Sequence, residues 1–249
     1  ILSSDPQFSN PGGLTPRDDV ELYVKSNSLQ YLNGTSTGTT DTGAKGAQDV
    51  LSGLLNQQPQ RFELASTAKS VFHWQNTSRF CSNCGQKVSI IKSGWQINCE
   101  NCNSSSFPRI DPVVIMLITN GPSVLLGRSI GWPDGMYSLL AGFMEPGETL
   151  EAAVRREAFE ESGINVGAVQ YLASQPWAFP MSLMFGCYGE ATSKEITIDH
   201  SEMEDIKWVN KHDLHMAMAG LEDSFKAARP GSIAHFLLLN WLADTLQLN

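Results

Sequence analysis

The sequence lacks both a long apolar segment and an excess of positive charge. No run of 18 apolar residues occurs among its 249 residues, so no membrane-spanning helix and no membrane partner are expected. Lysine and arginine total 17 against 26 aspartates and glutamates, a net charge of −9. Non-specific binding of nucleic acid is therefore disfavoured, because phosphate is repelled. A phosphorylated substrate remains compatible with this charge if a divalent cation lies between substrate and protein.

Cysteine and histidine are also scarce. Of five cysteines, four form two Cys-x-x-Cys pairs, and the fifth, Cys187, stands alone in an apolar run. Paired cysteines of this kind indicate a metal site rather than disulfides and favour a reducing compartment. We therefore expect an intracellular, cytoplasmic protein, although the first residue is Ile1 rather than Met and organelle targeting stays open. The five histidines are scattered, without the context of a nucleophilic triad.

Hydrophobic patterns alternate between strand and helix and predict a mixed α+β fold. A helix is expected from Ala65 to Trp74, and a second from Thr149 to Glu161, where Gly163 ends it. A third helix follows Ser232, its candidate cap. Strands are expected at 113–118, 124–126, 169–173, 184–188 and 195–198.

The two cysteine pairs are separated by fourteen residues and predict a zinc site. Each pair forms a tight turn that directs two thiolates to one point, and two such turns complete the tetrahedron that Zn²⁺ prefers. All four ligands, Cys81, Cys84, Cys99 and Cys102, come from the protein, so the metal is structural. A redox dithiol is the alternative, which the presence of two matched pairs disfavours.

Three carboxylates are clustered on the helix expected at 149–161. Glu157, Glu160 and Glu161 are at positions i, i+3 and i+4 and share one face. Like charges at this spacing are destabilising, and Mg²⁺ or Mn²⁺ would relieve the repulsion. Arg156 can pair with Glu148 and fix the preceding loop to the helix. A solvated acidic helix face is the alternative for any single glutamate.

The whole stretch from Gly142 to Ile164 resembles the signature of the Nudix hydrolase family. Gly142, Glu148, Arg156-Glu157, Glu160-Glu161 and Gly163-Ile164 stand at the family's spacing. Ala158 departs from it, since a larger aliphatic residue is usual there. The resemblance implies an α/β/α sandwich in which Glu157, Glu160 and Glu161 hold a divalent metal that activates water for attack on phosphorus.

A second motif, at 174–180, resembles the NADH pyrophosphatase subfamily. Ser174-Gln-Pro-Trp-Ala-Phe-Pro180 follows the signature and matches the subfamily pattern except at Ala178, where proline is usual. Its two aromatic rings beside prolines would form a rigid rim for stacking on a base. A proline-stiffened core loop is the alternative. The likeness extends over about residues 65 to 249.

The resemblance also implies further site residues and a dimeric assembly. Additional metal contacts fall at the backbone of Ala141 and at Glu202. Glu204 is close enough in sequence to be the matching residue in place of Glu202. The implied enzyme is a homodimer with one structural zinc per subunit. Substrate contacts fall at Phe107, Gln175, Pro176, Trp177, Ala178, Phe179, Pro180, Met181, Ser182 and Ala234.

These observations together predict three segments and one activity. The segments are an N-terminal α/β domain at 1–76 that is partly flexible, a zinc ribbon at 77–110 and a Nudix domain at 111–249. The expected reaction is hydrolysis of the diphosphate of NADH, and of NAD⁺ and related dinucleotides, to NMN(H) and AMP. The same chemistry would remove a NAD cap from the 5′ end of RNA. The alternatives are a Nudix hydrolase for another substrate such as ADP-ribose, and a non-catalytic zinc-ribbon binding protein.

Overall fold

The computed structural model describes residues 59–221 and 225–246. The domain predicted at 1–76 therefore lies outside the described residues except for its last part. That part is helix α1, Pro59–Thr77, which is longer at both ends than the predicted 65–74. Its buried apolar residues are Phe62, Ala65, Ala68, Val71 and Trp74. Because a helix completes a turn about every 3.6 residues, this spacing of three carries the buried surface around the helix rather than along one narrow stripe.

The chain forms two compact units. One comprises Ile1–Ile110 together with Pro176–Ser182, and the other comprises Asp111–Gln175 and Leu183–Asn249. None of the helices within 59–221 and 225–246 combines the length and the apolar character that a bilayer crossing needs.

Within the first unit, three short strands form the cysteine-bearing module. They are β1 (Ser89–Ile91), β2 (Gln96–Asn98) and β3 (Ser105–Ser106), all antiparallel and in that order. A 3₁₀ turn, Lys92–Gly94, joins the first two strands. The first cysteine pair precedes β1 and the second lies in the turn between β2 and β3, so the sheet fixes the position of the second pair.

The second unit is built on a six-stranded sheet with helices on both faces. The order is β7-β8-β4-β5-β9, and the short β6 pairs with the first half of β4. The elements are β4 (Asp111–Asn120), β5 (Ser123–Ser129), β6 (Leu140–Phe143), α2 (Leu150–Ser162), β7 (Val166–Trp177), β8 (Ser182–Ala191), β9 (Met203–Asn210), α3 (Lys211–Met218) and α4 (Ile233–Leu242).

Strand β4 is buried on both sides and separates two cores. Ile115 and Leu117 face one core, to which α3 and α4 contribute Leu214, Leu237, Leu238 and Trp241. The alternate residues of β4 face the other core, to which α2 contributes Ala153, Val154 and Ala158. This is the α/β/α sandwich expected from the sequence, and Ala158 is fully buried where α2 meets the sheet.

The strand predicted at 195–198 is wrong. The segment has no regular structure, because its backbone bonds to the end of α2 rather than to a strand. Thr197 N donates to Ser162 O at 2.8 Å and Asp199 N to Glu161 O at 3.1 Å. The alternating Ile196 and Ile198 nevertheless pack against the core on the α2 side, which is the origin of the misleading pattern.

In the second unit, three elements were missed altogether, β6, β9 and α3. Within β9, the buried residues Met203, Ile206 and Val209 are three apart rather than two. The pairing of β9 with β5 shifts register between Arg128 and Ser129, and this irregularity breaks the alternation at the Met203 end of the strand.

Candidate active site

Helix α2 has well-defined ends that fix where its carboxylates lie. Thr149 caps its start, accepting a hydrogen bond from Ala152 N at 3.3 Å. Gly163 ends it in the left-handed conformation, with φ of 69°, where a residue with a β-carbon would be strained. The helix predicted at 149–161 is therefore confirmed to within a residue at each end.

Arg156, in the middle of this helix, is the centre of an ion-pair network. Its Nε and Nη2 bind the two carboxylate oxygens of Glu148 at 2.8 and 2.9 Å. Nη2 also donates to Phe143 O at 2.8 Å, and Nη1 contacts Glu157 and Glu160 at 2.8 and 2.9 Å. The guanidinium holds the pKa of Glu148 below its usual range. The pairing of Arg156 with Glu148 that the sequence suggested is thus present, and it joins β6, the following loop and α2.

Glu161 is the least compensated charge of the cluster. Its side chain is 7% exposed, and Oε2 has no hydrogen-bond partner among the described residues. Burial raises the pKa of Glu161 to about 8, helped by the charges of Glu157, Glu202 and Glu160. Burial also raises the pKa of Glu157. A buried carboxylate oxygen without a donor is the arrangement that a bound cation would satisfy.

Strand β6 brings its backbone against the same carboxylates. A β-carbon placed on Gly142 would lie 1.9 Å from Cδ of Glu157, so this position accepts only glycine while Glu157 keeps its place. Ala141 precedes it and pairs with Ile115 of β4. The glycine of the signature is therefore explained by close approach of a side chain rather than by its torsion angles.

Glu202 and Glu204 lie in different surroundings. The charge of Glu202 raises the pKa values of both Glu157 and Glu161, so it lies near the cluster. Glu204 instead forms an ion pair with Arg128 at 2.9 Å. This difference favours Glu202 over Glu204 as the further carboxylate at this site.

The carboxylates of α2 are not gathered around one point. Within residues 59–221 and 225–246, only the four cysteines bring three or more potential ligand atoms within 4.8 Å of one another. Glu157 and Glu160 are turned toward Arg156, whose charge offsets the repulsion between them. The carboxylate oxygens of this cluster are the ligand type that a hard divalent cation prefers. In the present arrangement Arg156 binds two of the carboxylates, those of Glu157 and Glu160.

The cysteine cluster has the geometry of a closed tetrahedral site. The sulfur of Cys81 lies 3.6 Å from that of Cys102, and the sulfur of Cys84 lies 3.4 Å from that of Cys99. Each pair ends in a turn whose next residue has a left-handed backbone, Gly85 after the first pair and an asparagine after the second. Four thiolates at these separations match the ligand set of structural zinc.

Residues 176–182, which include the two aromatic rings of the motif, lie in the first unit and pack against α1. Lys69 Nζ donates a hydrogen bond to Ala178 O and lies 4.6 Å from the centroid of the Phe179 ring. That ring also packs against the core formed by Phe62 and Ala65. Burial lowers the pKa of Lys69. The sequence motif gave no indication of Lys69, which is 109 residues from its partner.

The rest of the motif is partly exposed and partly in the core. The Trp177 ring meets that of Phe179 edge to face, with centroids 5.2 Å apart. Met181 is buried against Trp74 and Ile97, and Ala178 and Ser182 are buried as well. The half-buried Trp177 ring and the exposed Pro176 and Pro180 form the accessible part.

The remaining predicted contacts have contrasting environments. Phe107 is 63% exposed. Gln175 uses both ends of its amide at the start of α4, donating to Gly231 O at 2.9 Å and accepting from Ile233 N at 2.8 Å. Ala234 is buried in the α4 side of the core. Their roles toward a substrate stay predictions.

Two family models match the chain in the order that the motifs indicated. Residues 76–107 match the NADH pyrophosphatase zinc ribbon domain and residues 109–229 match the NUDIX domain. A NAD-capped RNA hydrolase NudC of Pseudomonas putida (strain W619) is 37% identical over 237 residues, covering 88% of this chain and 86% of that protein. The human NAD-capped RNA hydrolase NUDT12 is 42% identical over 200 residues, covering 76% of this chain.

The extent of these matches differs. The chain spans 43% of the length of the human protein. Among solved structures, a NUDIX hydrolase from Nitrosomonas europaea aligns with a TM-score of 0.54 at 20% identity, covering 67% of this chain and 91% of the other. That alignment supports the fold, and the Pseudomonas relative supports the family over most of the chain.

The cofactors expected from the sequence agree with these matches. Nudix hydrolases use Mg²⁺ or Mn²⁺, and the four clustered cysteines of the ribbon support a structural zinc. With the Nudix signature at 142–164 and the matching ribbon before it, the chain belongs to the Nudix hydrolase family, in the group that carries the NADH pyrophosphatase zinc ribbon.

Proposed function

We propose that the protein hydrolyses the diphosphate bond of NADH, and also of NAD⁺ and related dinucleotides, to NMN(H) and AMP. The observation that carries the proposal is the buried carboxylate of Glu161 on α2. Its Oε2 has no partner among the described residues, and the charges of Glu157 and Glu160 act on it. Burying a carboxylate without a partner costs folding free energy, and a protein that only binds other molecules gains nothing from it. A metal-dependent hydrolase needs such a carboxylate to bind its cation. The zinc ribbon and the aromatic motif narrow the substrate to a dinucleotide.

The chain's own residues divide the work of the reaction. Glu157, Glu160 and Glu161, with Glu202 and the backbone of Ala141, would hold the divalent cation. When bound, the cation neutralises the diphosphate and activates a water molecule for attack on phosphorus. Arg156 keeps Glu148 and the signature loop against α2 and orients the neighbouring carboxylates.

The aromatic motif would bind one base of the substrate. Trp177 and Phe179 provide flat apolar faces, and the prolines beside them limit the freedom that binding would otherwise remove. In this proposal the further contacts are those expected from the sequence, namely Phe107, Gln175, Pro176, Ala178, Pro180, Met181, Ser182 and Ala234. The side-chain amide of Gln175 already bonds the backbone at the start of α4. Gln175 would therefore contact the substrate through its backbone, or support the site by holding α4.

NAD-capped RNA is a second candidate substrate, because the relatives from human and Pseudomonas are named NAD-capped RNA hydrolases. The cap contains the same diphosphate bond as free NAD⁺. With a net charge of −9, the protein would recognise the capped end rather than the RNA body.

A substrate panel tests the proposal directly. The protein is incubated with Mg²⁺ or Mn²⁺ and NADH, NAD⁺, ADP-ribose or NAD-capped RNA, and the products are identified by mass. We expect NMN(H) and AMP from the dinucleotides. In water labelled with the heavy oxygen isotope, the product that carries the label shows which phosphorus is attacked. Faster cleavage of ADP-ribose than of NADH would favour the alternative hydrolase.

The matched control is Glu161→Gln, which keeps the size of the side chain and removes its charge. We expect turnover to fall by about 100-fold or more, in line with the loss of a metal-held contribution of about 3 kcal/mol. Absence of any metal-dependent cleavage by the unchanged protein would instead indicate the non-catalytic binding protein.

We also propose a homodimer and an intracellular, cytoplasmic location. The dimer rests on the family resemblance, and light scattering after size exclusion would measure it. The location rests on the four reduced cysteines, since metal-binding thiolates persist in a reducing compartment. The segment limits 1–76, 77–110 and 111–249 remain part of this proposal.

A further inference from the structure

Lys69 places a positive charge directly behind the aromatic motif. Its ammonium lies 4.6 Å from the centroid of Phe179 and donates to the carbonyl of Ala178. All three residues belong to the same compact unit. The stem of Lys69 lies on α1 two residues before Val71, on a helix whose apolar side is buried, so the charge is held in place rather than free in solvent.

Among residues 59–221 and 225–246, no carboxylate forms an ion pair with this charge. The interactions of Lys69 with the described residues are the Ala178 carbonyl and the Phe179 ring, and neither is an anion. An aromatic ring attracts a cation to its face because its π electrons are negative there. With Lys69 on one face of Phe179, a second cation near the motif would meet a ring whose π electrons are already drawn to Lys69. It would also meet a positive charge that no carboxylate of the described residues offsets.

We propose that Lys69 is a specificity-determining residue that makes the 176–182 motif prefer an uncharged base over a cationic one. The inference rests on the proposed function, in which this motif binds a base of the dinucleotide. The nicotinamide ring is neutral in NADH and positively charged in NAD⁺, while the adenine ring is neutral in both. A preference set by charge would therefore separate these two substrates, which are nearly equal in size and shape.

The expected size of the effect follows from Coulomb's law. A ring stacked on Phe179 would lie roughly 9 Å from the ammonium. At that distance, in surroundings between water and protein interior, one unit charge changes affinity by about fivefold. The ratio of kcat/KM for NADH to that for NAD⁺ should fall by about this factor when the charge is removed.

Three substitutions separate charge from support of the loop. Lys69→Arg keeps the charge and a donor, Lys69→Gln keeps a donor without the charge, and Lys69→Met keeps only an apolar stem. We expect the ratio of kcat/KM for NADH to that for NAD⁺ to stay within about twofold for Arg and to fall about fivefold for both Gln and Met. A residue that merely supported the fold would lower both kcat/KM values together and leave their ratio unchanged.

The outcomes are distinct from failure of the proposed function. If the unchanged protein cleaves neither dinucleotide, the proposed function is rejected and this inference with it. If it cleaves both and the Gln variant keeps the original ratio, the proposed function stands and the role of Lys69 is overturned. Should Lys69→Met lower the soluble yield, the comparison of Gln with Arg decides the question, because both retain a donor for Ala178.

Discussion

Position 142 carries no side chain, and the carboxylate of Glu157 occupies the space that a β-carbon would take. We predict that Gly142→Ala displaces that carboxylate and lowers turnover by about tenfold or more, since one metal contact contributes several kcal/mol to the transition state. Steady-state kinetics at several Mg²⁺ concentrations would measure the change. We expect a higher metal requirement with little change in melting temperature.

Gly167→Ala is the matched control for this substitution. A β-carbon at position 167 meets Thr192 at 3.4 Å, an ordinary contact, so kinetics close to those of the unchanged protein are expected. Equal activity of the two variants would show that Glu157 does not need its present position for catalysis.

The raised pKa of Glu161 predicts that protons compete with the metal. In the metal-free fold the pKa is about 8, against about 4.3 when unfolded. At pH values between about 4.3 and about 8, the folded state keeps a proton on Glu161 that the unfolded state has lost. The contribution of this group to folding stability therefore decreases as pH rises through this range. A cation requires the ionised form, so its affinity should increase over the same range.

Calorimetric titration with Mn²⁺ at about pH 6 and about pH 8, in buffers of different ionisation heat, would measure this coupling. We expect tighter binding at the higher pH and proton release at the lower one. Binding that is independent of pH, without proton release, would mean that Glu161 is not a ligand. The Glu161→Gln variant should lose this component of the pH dependence.

At the scale of the element, the aromatic motif has one ring that supports the loop and one that is more accessible. Phe179 packs against Phe62, Ala65 and Lys69, whereas the Trp177 ring contacts its edge. We predict that Trp177→Ala raises KM for NADH by about tenfold at unchanged kcat and melting temperature, because stacking contributes about 1–3 kcal/mol per base.

Phe179→Ala is expected to behave differently. It should lower the melting temperature as well as raise KM, since its removal leaves a gap beside α1. Thermal unfolding followed with kinetics would separate the two effects. If both Trp177→Ala and Phe179→Ala lowered the melting temperature without changing KM, the motif would be a structural loop that does not bind the base.

How well the sequence predicts an element depends on how local its determinants are. Helix α2 was predicted to within a residue because its cap, its glycine stop and its charged face all lie within fifteen residues of sequence. The strand expected at 195–198 failed because two isoleucines alternate in a segment whose backbone bonds to α2. Lys69 was not found because its partners are more than a hundred residues away and no motif joins them.

At the scale of the whole molecule, the zinc site stabilises one of two units. Structural zinc in small modules contributes about 10–16 kcal/mol, as much as the total stability of a domain. We predict that Cys99→Ser, at a sulfur that is nearly fully buried, lowers zinc content and soluble yield. Zinc measured by mass spectrometry should remain at one per chain in the control, Cys187→Ala.

The same substitution tests whether the zinc is catalytic. The four cysteines leave no ligand position for water, so the fraction of Cys99→Ser that folds should retain metal-dependent cleavage by the carboxylates of α2. A soluble, zinc-free protein of full stability and activity would contradict a structural role for the cysteines.

The chain's division into units has a consequence for engineering. Residues 176–182 comprise the last two residues of β7, the connection that follows and the first residue of β8. They nevertheless pack with α1 and the ribbon. A chimera that joins the first 110 residues of one relative to the remainder of another would therefore pair a foreign loop with native Phe62, Trp74 and Ile97. We expect chimeras to fold when residues 176–182 are taken from the same relative as the first 110 residues, although the two segments are far apart in sequence.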